Sequence, residues 1–349
     1  FPTRRSSDLA GFIGGNFVLA NVSAETRVVN LDALTYAGNR ATLAGASGID
    51  LIIGDICDTP RAERILRDRQ IDTIVHFAAE THVDRSIHAP DAFITTNVLG
   101  THSLLKAAQQ VWLSGSGREH RFHHISTDEV YGSLGPADPA FSETTAYAPN
   151  SPYSASKAAS DHLVRAYHHT FGLNVTTSNC SNNYGPYQHP EKLIPRFLIN
   201  ALSGLPLPIY GDGLNVRDWL YVEDHCRGIE AAVLRGRAGE SYNIGGGEER
   251  TNLDVFDAIC GGIDLAFATA PLLAQRFPNC PAASGRKTAS LKTFVDDRKG
   301  HDRRYAIDER KARDALGYAP ARGFTDGLAE TIAWYLSHED WWRPLSRRA

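Results

Sequence analysis

Short apolar strands that alternate with helical stretches are the feature that most constrains the fold of this chain. The pattern predicts strands at residues 27–31, 51–54, 71–77, 121–126 and 175–179, and helices between them, such as 61–69, 92–110 and 154–171. Strands that alternate with helices predict a doubly wound, parallel α/β sheet of the Rossmann type.

Polar residues follow each of these strands at its carboxyl end. They are Asp32, Asp55, the run Ala78-Ala79-Glu80, the run Thr127-Asp128-Glu129, and the pair Asn182-Asn183. Ligands of doubly wound sheets bind beyond the carboxyl ends of the strands. We therefore expect these side chains to surround one ligand site.

The second part of the chain has a different character, with frequent Pro and Gly and short segments. We predict that residues 10–185 and about 215–246 form the sheet domain. Residues from about 186 to 214 and from 247 to 349 are predicted to form a smaller, discontinuous substrate-binding domain.

Composition excludes several classes of protein. The formal net charge of −4 provides no basic field for nucleic acid, and no apolar run approaches the roughly 18 to 20 residues that span a membrane. The five cysteines are odd in number and lack C-x-x-C spacing, which argues against a disulfide framework and a zinc site. We expect a cytoplasmic protein without a metal site.

A glycine pair near the amino terminus resembles a dinucleotide-binding turn. Gly11-Phe12-Ile13-Gly14 supplies the last two glycines of a G-x-x-G-x-x-G series, and Asp8 stands at the first position. Asp32 follows about 20 residues later, where an acid binds ribose hydroxyls and favours NAD over NADP. Asp32 as a helix N-cap, and Asp55 as a turn residue rather than an adenine contact, remain open.

The first nine residues, FPTRRSSDL, do not resemble a central strand. Proline lacks a donor for the ladder, and charged arginines would be buried in a sheet covered on both faces. We interpret residues 1–9 as foreign sequence, with a transit peptide as the alternative. The first strand is therefore expected to be missing or replaced, and NAD binding to be weaker than in an intact version.

Tyr153 and Lys157 lie one helical turn apart in the run YSASK. A lysine ammonium beside a phenol would lower the phenol pKa from about 10 towards neutrality, which would make Tyr153 a usable base. A helix-surface pair is the alternative. The hydroxyl of Thr127 could polarise the reacting oxygen.

Asp128 and Glu129 provide two carboxyl groups, which a simple hydride transfer does not require. Two neighbouring carboxyl groups suit an elimination in which one is the acid and the other the base. A solvated surface pair at a strand end is the alternative.

Several longer motifs carry a resemblance to a known family. They occupy residues 32–39 (DALTYAGN), 78–86 (AAETHVDRS), 127–129 (TDE), 153–157 (YSASK), 182–187 (NNYGPY), 190–195 (PEKLIP), 217–219 (RDW) and 242–245 (YNIG). From about Ala10 to the carboxyl terminus, the chain resembles the extended short-chain dehydrogenase/reductases and, among them, the nucleotide-sugar dehydratases.

This resemblance implies an NAD-dependent lyase that acts on dTDP-glucose. Tyr153 would take the C4 hydroxyl proton while hydride leaves C4 for NAD; Glu129 would remove the C5 proton and Asp128 would protonate the departing C6 hydroxyl. Hydride would then return to C6, so the product would be a 4-keto-6-deoxy sugar. The catalytic residues would be Thr127, Asp128, Glu129, Tyr153 and Lys157.

The resemblance also implies binding residues for both ligands. Cofactor contacts would come from Gly11, Phe12, Ile13, Gly14, Asp32, Leu34, Thr35, Asp55, Ile56, Ala78, Ala79, Glu80, His82, Thr96, Tyr153, Lys157 and Asn183. Substrate contacts would come from His82, Thr127, Asn182, Lys192, Leu193, Pro208, Ile209, Tyr210, Arg217, Asn252, Asp297, Arg298 and His301. Arg217 suits a diphosphate, with an ion pair to Asp218 as the alternative.

Two alternatives to a dehydratase remain at this point. A nucleotide-sugar 4-epimerase would share Tyr153, Lys157 and Asp32 but would have no task for two adjacent carboxyl groups. A truncated, noncatalytic form is the other.

Lys299 stands where the family has proline, which loosens the turn but leaves Arg298 and His301 available. The resemblance further implies a homodimer, formed through the helices at 92–110 and 154–171.

Overall fold

A computed structural model describes residues 3–7, 10–22, 27–116 and 119–346 of the chain. Its strands are β1 (Thr3–Ser7), β2 (Arg27–Asp32), β3 (Ile49–Ile53), β4 (Thr73–His76), β5 (Arg121–Thr127), β6 (Val175–Cys180), β7 (Asn182–Tyr184), β8 (Leu207–Tyr210), β9 (Val216–Tyr221), β10 (Ser241–Ile244), β11 (Glu249–Thr251) and β12 (Lys292–Val295).

The helices are α1 (Phe12–Asn21), α2 (Thr59–Asp68), α3 (Val83–His88), α4 (Asp91–Phe93), α5 (Thr101–Ala108), α6 (Pro152–Phe171), α7 (Leu193–Ser203), α8 (Val222–Arg235), α9 (Asn252–Thr269), α10 (Leu273–Arg276), α11 (Arg310–Leu316), α12 (Phe324–Ser337) and α13 (Glu339–Ser346). Two π-helical segments, Ile94–Gly100 and Gln109–Ser116, adjoin α5, one at each end.

Seven parallel strands form the main sheet, in the order β10-β6-β5-β4-β1-β2-β3. Neighbouring residues of β4 point to opposite faces of this sheet, as strand geometry requires. Ile74 packs on one face in a cluster with Leu104 of α5 and Val164 of α6. Val75 packs on the other face in a cluster with Phe17 of α1 and Ile229 of α8. The expected doubly wound Rossmann sheet is confirmed, and its strand order reverses beside β1, where such sheets bind ligands.

The predicted loss of the first strand is wrong. Residues Thr3–Ser7 form β1, which pairs in parallel with both of its neighbours: Arg4 lies opposite Val28 of β2 and Thr73 of β4. The ladder uses backbone N–H and C=O groups that every residue except proline offers, and Pro2 precedes the strand. Asp8 lies outside the described residues, and the foreign origin of residues 1–9 stays a prediction.

The carboxyl-terminal half adds a smaller layer over one end of the sheet. Two small sheets, β11-β9-β7 and β12-β8, contribute to it together with α7, α9, α12 and α13. Its core includes Phe197, Phe256, Tyr335 and Trp342. In contrast, α11 packs on the main sheet domain, where Leu316 belongs to a cluster with residues of α8 and β10. The exact domain boundaries stay a prediction.

Two further observations concern membrane-spanning helices and the cysteine thiols. Among the helices of the described residues, none combines the length and apolar character that a bilayer crossing needs. All five cysteines are free thiols.

Candidate active site

The turn after β5 places the side chains of Asp128 and Glu129 at the candidate site. A 3₁₀ turn follows Thr127 directly, and the Thr127 Oγ1 accepts a hydrogen bond from the Glu129 backbone N–H at 3.3 Å. Gly132 ends this turn with φ of 95°, and a Cβ there would lie 2.5 Å from the Ala148 carbonyl oxygen. Asp128 is only 1% exposed, so the alternative of a solvated surface pair is wrong.

Burial changes the ionisation of both carboxyl groups. The pKa of Asp128 is raised well above its ordinary value by burial first and then by the negative charges of Glu129 and Asp218. One Asp128 oxygen, Oδ2, has no hydrogen-bond partner among the described residues. Burial also raises the pKa of Glu129, although Arg217 and Lys192 act in the opposite direction. Asp128 is therefore suited to hold a proton at pH values where an ordinary aspartate is ionised.

Helix α6 presents Tyr153 and Lys157 to the same site. It begins with a capping box between Ser151 and Ser154, which fixes the first turn of the helix and with it Tyr153. Tyr153 and Lys157 are both buried. The Lys157 Nζ donates a hydrogen bond to the Ile125 carbonyl oxygen at 2.7 Å. The alternative of a helix-surface pair is wrong.

The predicted lowering of the Tyr153 pKa is not found in the protein without its cofactor; the pKa is raised instead. The pKa of Tyr153 is raised well above its ordinary value by burial and then by the charge of Glu129, while a hydrogen bond with Thr127 lowers it. Lys157 is directed towards the Ile125 carbonyl, and burial lowers its own pKa. The spacing of the motif predicted the helical face correctly but could not predict the desolvation of the phenol.

A long cavity extends from the amino terminus of α1 to Tyr153. Ten of the residues predicted to contact a cofactor line it: Gly11, Phe12, Ile13, Gly14, Thr35, Ala79, Glu80, Tyr153, Lys157 and Asn183. Seven of the predicted residues lie outside its lining: Asp32, Leu34, Asp55, Ile56, Ala78, His82 and Thr96.

Asp32 and Asp55 both accept hydrogen bonds from backbone N–H groups. The Asp32 carboxylate accepts hydrogen bonds from the N–H groups of Ala10 at 2.9 Å and Leu34 at 2.7 Å. Asp55 accepts one from the Cys57 N–H at 2.8 Å. Asp32 therefore organises the turn after β2, and its predicted contact with a ribose stays a prediction.

A second cavity adjoins the first beneath the smaller layer. The predicted substrate residues that line it are His82, Asn182, Lys192, Leu193, Pro208, Tyr210, Arg217, Asn252, Arg298 and His301. Thr127 lines the first cavity instead, and Ile209 and Asp297 line neither. Glu129, Asn182 and Lys192 line both cavities. The two cavities therefore meet beside the catalytic cluster.

Arg217 is held in the second cavity by backbone groups. Its guanidinium donates to the carbonyl oxygens of Val216 at 2.7 Å and Asp302 at 2.9 Å, and it lies over the Tyr305 ring at 4.2 Å. The Asp218 carboxylate instead accepts the N–H groups of Gly246 and Glu248. The alternative of an Arg217–Asp218 ion pair is not formed.

Sequence reasoning missed Glu191, which lies between the cavities. The Glu191 carboxylate accepts a hydrogen bond from the Tyr36 hydroxyl at 3.0 Å and lies 3.7 Å from both His82 Nε2 and Arg85 Nη2. The adjacent Lys192 is predicted from the PEKLIP motif, so the same run carries a signal for Glu191. Trp341, which lines the first cavity from the carboxyl-terminal helix, had no comparable signal.

Comparisons with known proteins agree with this arrangement. The family model described as GDP-mannose 4,6 dehydratase matches residues 9–331. A relative from Xanthomonas campestris pv. campestris named dTDP-glucose 4,6-dehydratase is 55% identical, over 95% of this chain and 92% of its own length. Escherichia coli K12 dTDP-glucose 4,6-dehydratase 1 is 50% identical over the same shares of the two chains.

Solved structures of both a dehydratase and an epimerase resemble this chain. The dTDP-glucose 4,6-dehydratase DesIV from Streptomyces venezuelae, crystallised with NAD and the ligand TYD, matches with a TM-score of 0.87 and 46% identity, covering 98% of this chain and 99% of DesIV. The UDP-glucose 4-epimerase of Thermus thermophilus, in complex with NAD, has a TM-score of 0.82 and 26% identity, covering 96% and 99%. The two folds are nearly equal in similarity, so sequence separates them. The chain, which carries Asp128 and Glu129 side by side at the end of β5, belongs to the dTDP-glucose 4,6-dehydratase family.

Proposed function

We propose that this chain is an NAD-dependent hydro-lyase that converts dTDP-glucose to dTDP-4-keto-6-deoxyglucose. The observation that carries the proposal is the position of the acidic pair. Glu129 lines both cavities, and Asp128 and Tyr153 line the cofactor cavity beside it. A base for the hydroxyl and two carboxyl groups for the elimination therefore surround the place where the two ligands would meet.

The first cavity fits a dinucleotide. The amino terminus of α1 faces it and Gly11 is the N-cap; among the described residues, no side chain caps this end or adds an acid to its first turn. Free N–H groups and the positive end of a helix favour a pyrophosphate. NAD⁺ held there by the turn at Gly11–Gly14 would supply the hydride acceptor, and its positive charge would favour the ionised form of Tyr153.

Tyr153 and Thr127 act on the first proton. The raised pKa of the buried phenol keeps it protonated in the protein alone. As a phenolate, Tyr153 Oη takes the proton of the C4 hydroxyl while the C4 hydride departs, which leaves a ketone at C4. Thr127, which lines the same cavity, orients the reacting oxygen.

Glu129 and Asp128 perform the elimination. The C4 ketone acidifies the C5 proton, which Glu129 removes. Asp128, whose raised pKa keeps it protonated, gives its proton to the C6 hydroxyl, and water leaves. Glu129 would then return its proton to C5 as the hydride taken from C4 is delivered to C6. Over the cycle Tyr153 gains one proton and Asp128 loses one, so the net number of protons bound by the enzyme does not change.

Positive groups of the second cavity suit a nucleoside diphosphate. Arg217 and Arg298 line it together with His301, and Arg298 also lies over the Tyr210 ring at 4.9 Å. Guanidinium groups bind diphosphate oxygens through several donors at once. Asn182, Lys192 and Leu193 line the part nearest Glu129, where the sugar would lie.

A position-specific label tests the proposed reaction. The chain is incubated with dTDP-glucose that carries deuterium at C4, and the product is analysed by NMR and mass spectrometry. The expected product is a 4-keto-6-deoxy sugar with the deuterium at C6. A product with the label still at C4 and an inverted C4 would be that of a 4-epimerase and would overturn the proposal.

Tyr153→Phe is the matched control for this assay. The ring and its packing remain, but the base is lost, so turnover should fall about 10³-fold. An unchanged rate would remove Tyr153 from the assigned role. A wild-type chain that forms no product would support the noncatalytic alternative.

We also propose a homodimer and a cytoplasmic location. Apolar side chains remain exposed on and beside the helices predicted to form the dimer: Ile94, Leu99, Leu113 and Phe171. Such surface is typical of a contact between subunits. The five free thiols support a reducing compartment.

A further inference from the structure

The carboxyl-terminal helix α13 contacts the turn that follows β2, almost the whole chain length away. The Trp341 indole N–H donates a hydrogen bond to the Thr42 Oγ1 at 3.2 Å. Thr42 is buried and lies in a 3₁₀ turn, Arg40–Leu43. This bond therefore joins the smaller layer to the sheet domain.

Packing holds the Trp341 ring in one place. Tyr187 lies edge-on with its ring centroid 5.6 Å from that of Trp341, and Trp334 lies edge-on at 5.3 Å. Trp341 is nearly fully buried by these contacts. Edge-to-face pairs of this kind stabilise an aromatic cluster, so the indole N–H is directed towards Thr42 by its surroundings.

Trp341 also forms part of the cofactor cavity. It lines the same cavity as Thr35, Tyr36 and Ala37 from the turn after β2. This turn is fixed at a second point, because the Tyr36 hydroxyl donates to Glu191 at 3.0 Å. Thus Thr42 and Tyr36 join the turn to the smaller layer at two places, with the cofactor cavity beside them.

We propose that Trp341 and Thr42 form a latch that closes the cofactor cavity and retains the dinucleotide between turnovers. The inference rests on the proposed NAD-dependent function. A reaction that returns its hydride to the same sugar needs a cofactor that stays bound throughout. A dinucleotide that leaves beside this turn requires the turn and α13 to separate, and the Trp341–Thr42 bond opposes that separation.

The dissociation rate of NAD tests the latch directly. Trp341→Phe keeps an aromatic ring but removes the donor, and Thr42→Val keeps the shape but removes the acceptor. Wild-type and variant proteins are loaded with NAD and diluted into excess alcohol dehydrogenase and ethanol, which reduce each released molecule and report it by absorbance. One hydrogen bond corresponds to about a fivefold faster release in each variant.

A double variant separates the latch from general loosening. Both substitutions break the same bond, so the double variant should release NAD about as fast as each single variant, rather than with the product of the two effects. Trp342→Phe is the matched control. Its indole N–H donates to the Tyr335 carbonyl oxygen at 2.8 Å inside the smaller layer, and it does not line the cofactor cavity.

The outcomes are distinct. Release from Trp341→Phe and Thr42→Val at the wild-type rate would overturn the latch and leave the proposed function intact. Equal acceleration by Trp342→Phe would also overturn it, because the effect would then be one of domain stability. A wild-type chain that binds no added NAD would overturn the proposed function together with the latch. If Trp341→Phe fails to fold, the release rate of Thr42→Val still tests the latch, because Thr42 lies in the other domain.

Discussion

At the scale of single residues, the active site is built from groups that are costly to bury. The folded state raises the pKa of Asp128 above the ordinary value of 3.8. The native protein therefore binds more protons than the unfolded chain at pH values between these two pKa values. Stability must fall as pH rises through this window, and the full cost is present above it.

Asp128→Asn should consequently stabilise the protein while it removes the acid. We expect the melting temperature at neutral pH to rise by roughly 2 °C or more, and the gain to disappear near pH 3, where Asp128 is protonated in both states. Turnover should fall about 10²-fold or more. Scanning calorimetry across pH measures the first effect. Asp257→Asn, at an exposed carboxylate, is the control, and a lower melting temperature for Asp128→Asn would contradict the prediction.

Asp8 supports a second residue-scale prediction, made from the sequence. It stands three residues before Gly11, where the glycine series has its first member. A negative charge near a bound pyrophosphate opposes binding, so Asp8→Gly should tighten NAD binding. Calorimetric titration of NAD into both proteins measures the difference. An unchanged NAD dissociation constant in Asp8→Gly would contradict the prediction.

Residue identities were predictable where local spacing determines them. The i, i+4 spacing of Tyr153 and Lys157, and the adjacency of Asp128 and Glu129, fix their relative directions in the helix and the turn. The pKa of Tyr153 depends on burial by distant parts of the chain, and Glu191 acquires its partners from residues more than a hundred positions away. Neither could be predicted from a local pattern.

At the scale of elements, α6 and β5 form one polar unit. Asp161, one turn beyond Lys157, accepts hydrogen bonds from His124 Nε2 at 3.1 Å, Ser126 Oγ at 2.8 Å and the Tyr147 hydroxyl at 2.9 Å. His124 and Ser126 belong to β5. Asp161 therefore ties the helix that holds Tyr153 and Lys157 to the strand that leads into Thr127.

Asp161→Asn should change the pH dependence of the reaction. Burial lowers the pKa of Lys157, and the negative charge of Asp161 opposes that shift. Without this charge the pKa of Lys157 falls further, so its positive form is lost at lower pH. We expect the alkaline decline of the turnover rate to begin at lower pH than in the wild-type protein. Tyr147→Phe, which removes one donor to Asp161 but no charge, should leave that decline in place; a parallel loss at all pH values in Asp161→Asn would indicate a purely structural role.

The type of an element, helix or strand, was predictable from the sequence, but its internal hydrogen-bond pattern was not. The helix predicted at 92–110 is a run of α4, π-helical Ile94–Gly100, α5 and π-helical Gln109–Ser116. The first π segment contains Asn97, whose side chain bonds the backbone of Glu80 and the Ser156 hydroxyl. Apolar periodicity does not report i→i+5 bonding, because the same side chains are compatible with both helices.

At the scale of the whole molecule, alternation of strands and helices was sufficient to predict the main sheet, because right-handed crossovers leave few other arrangements. It was insufficient for β1, since the central position of that strand is set by pairing with β2 and β4 rather than by its own sequence. The latch between α13 and Thr42 joins residues 299 positions apart. Contacts of such separation leave no local sequence signal.

The proposed homodimer gives the last prediction. Leu99 and Ile94 are 54% and 49% exposed on the first π segment, and Phe171 at the end of α6, also in the predicted contact, is 46% exposed. Burying them against a second copy would remove apolar surface from water, whereas a charge there would have to be buried unpaired. We therefore expect light scattering to give twice the mass of one chain for the wild-type protein and a single mass for Leu99→Glu. Leu272→Glu, at a more exposed leucine in the smaller layer, should remain dimeric, and a monomeric wild-type chain at micromolar concentration would contradict the prediction.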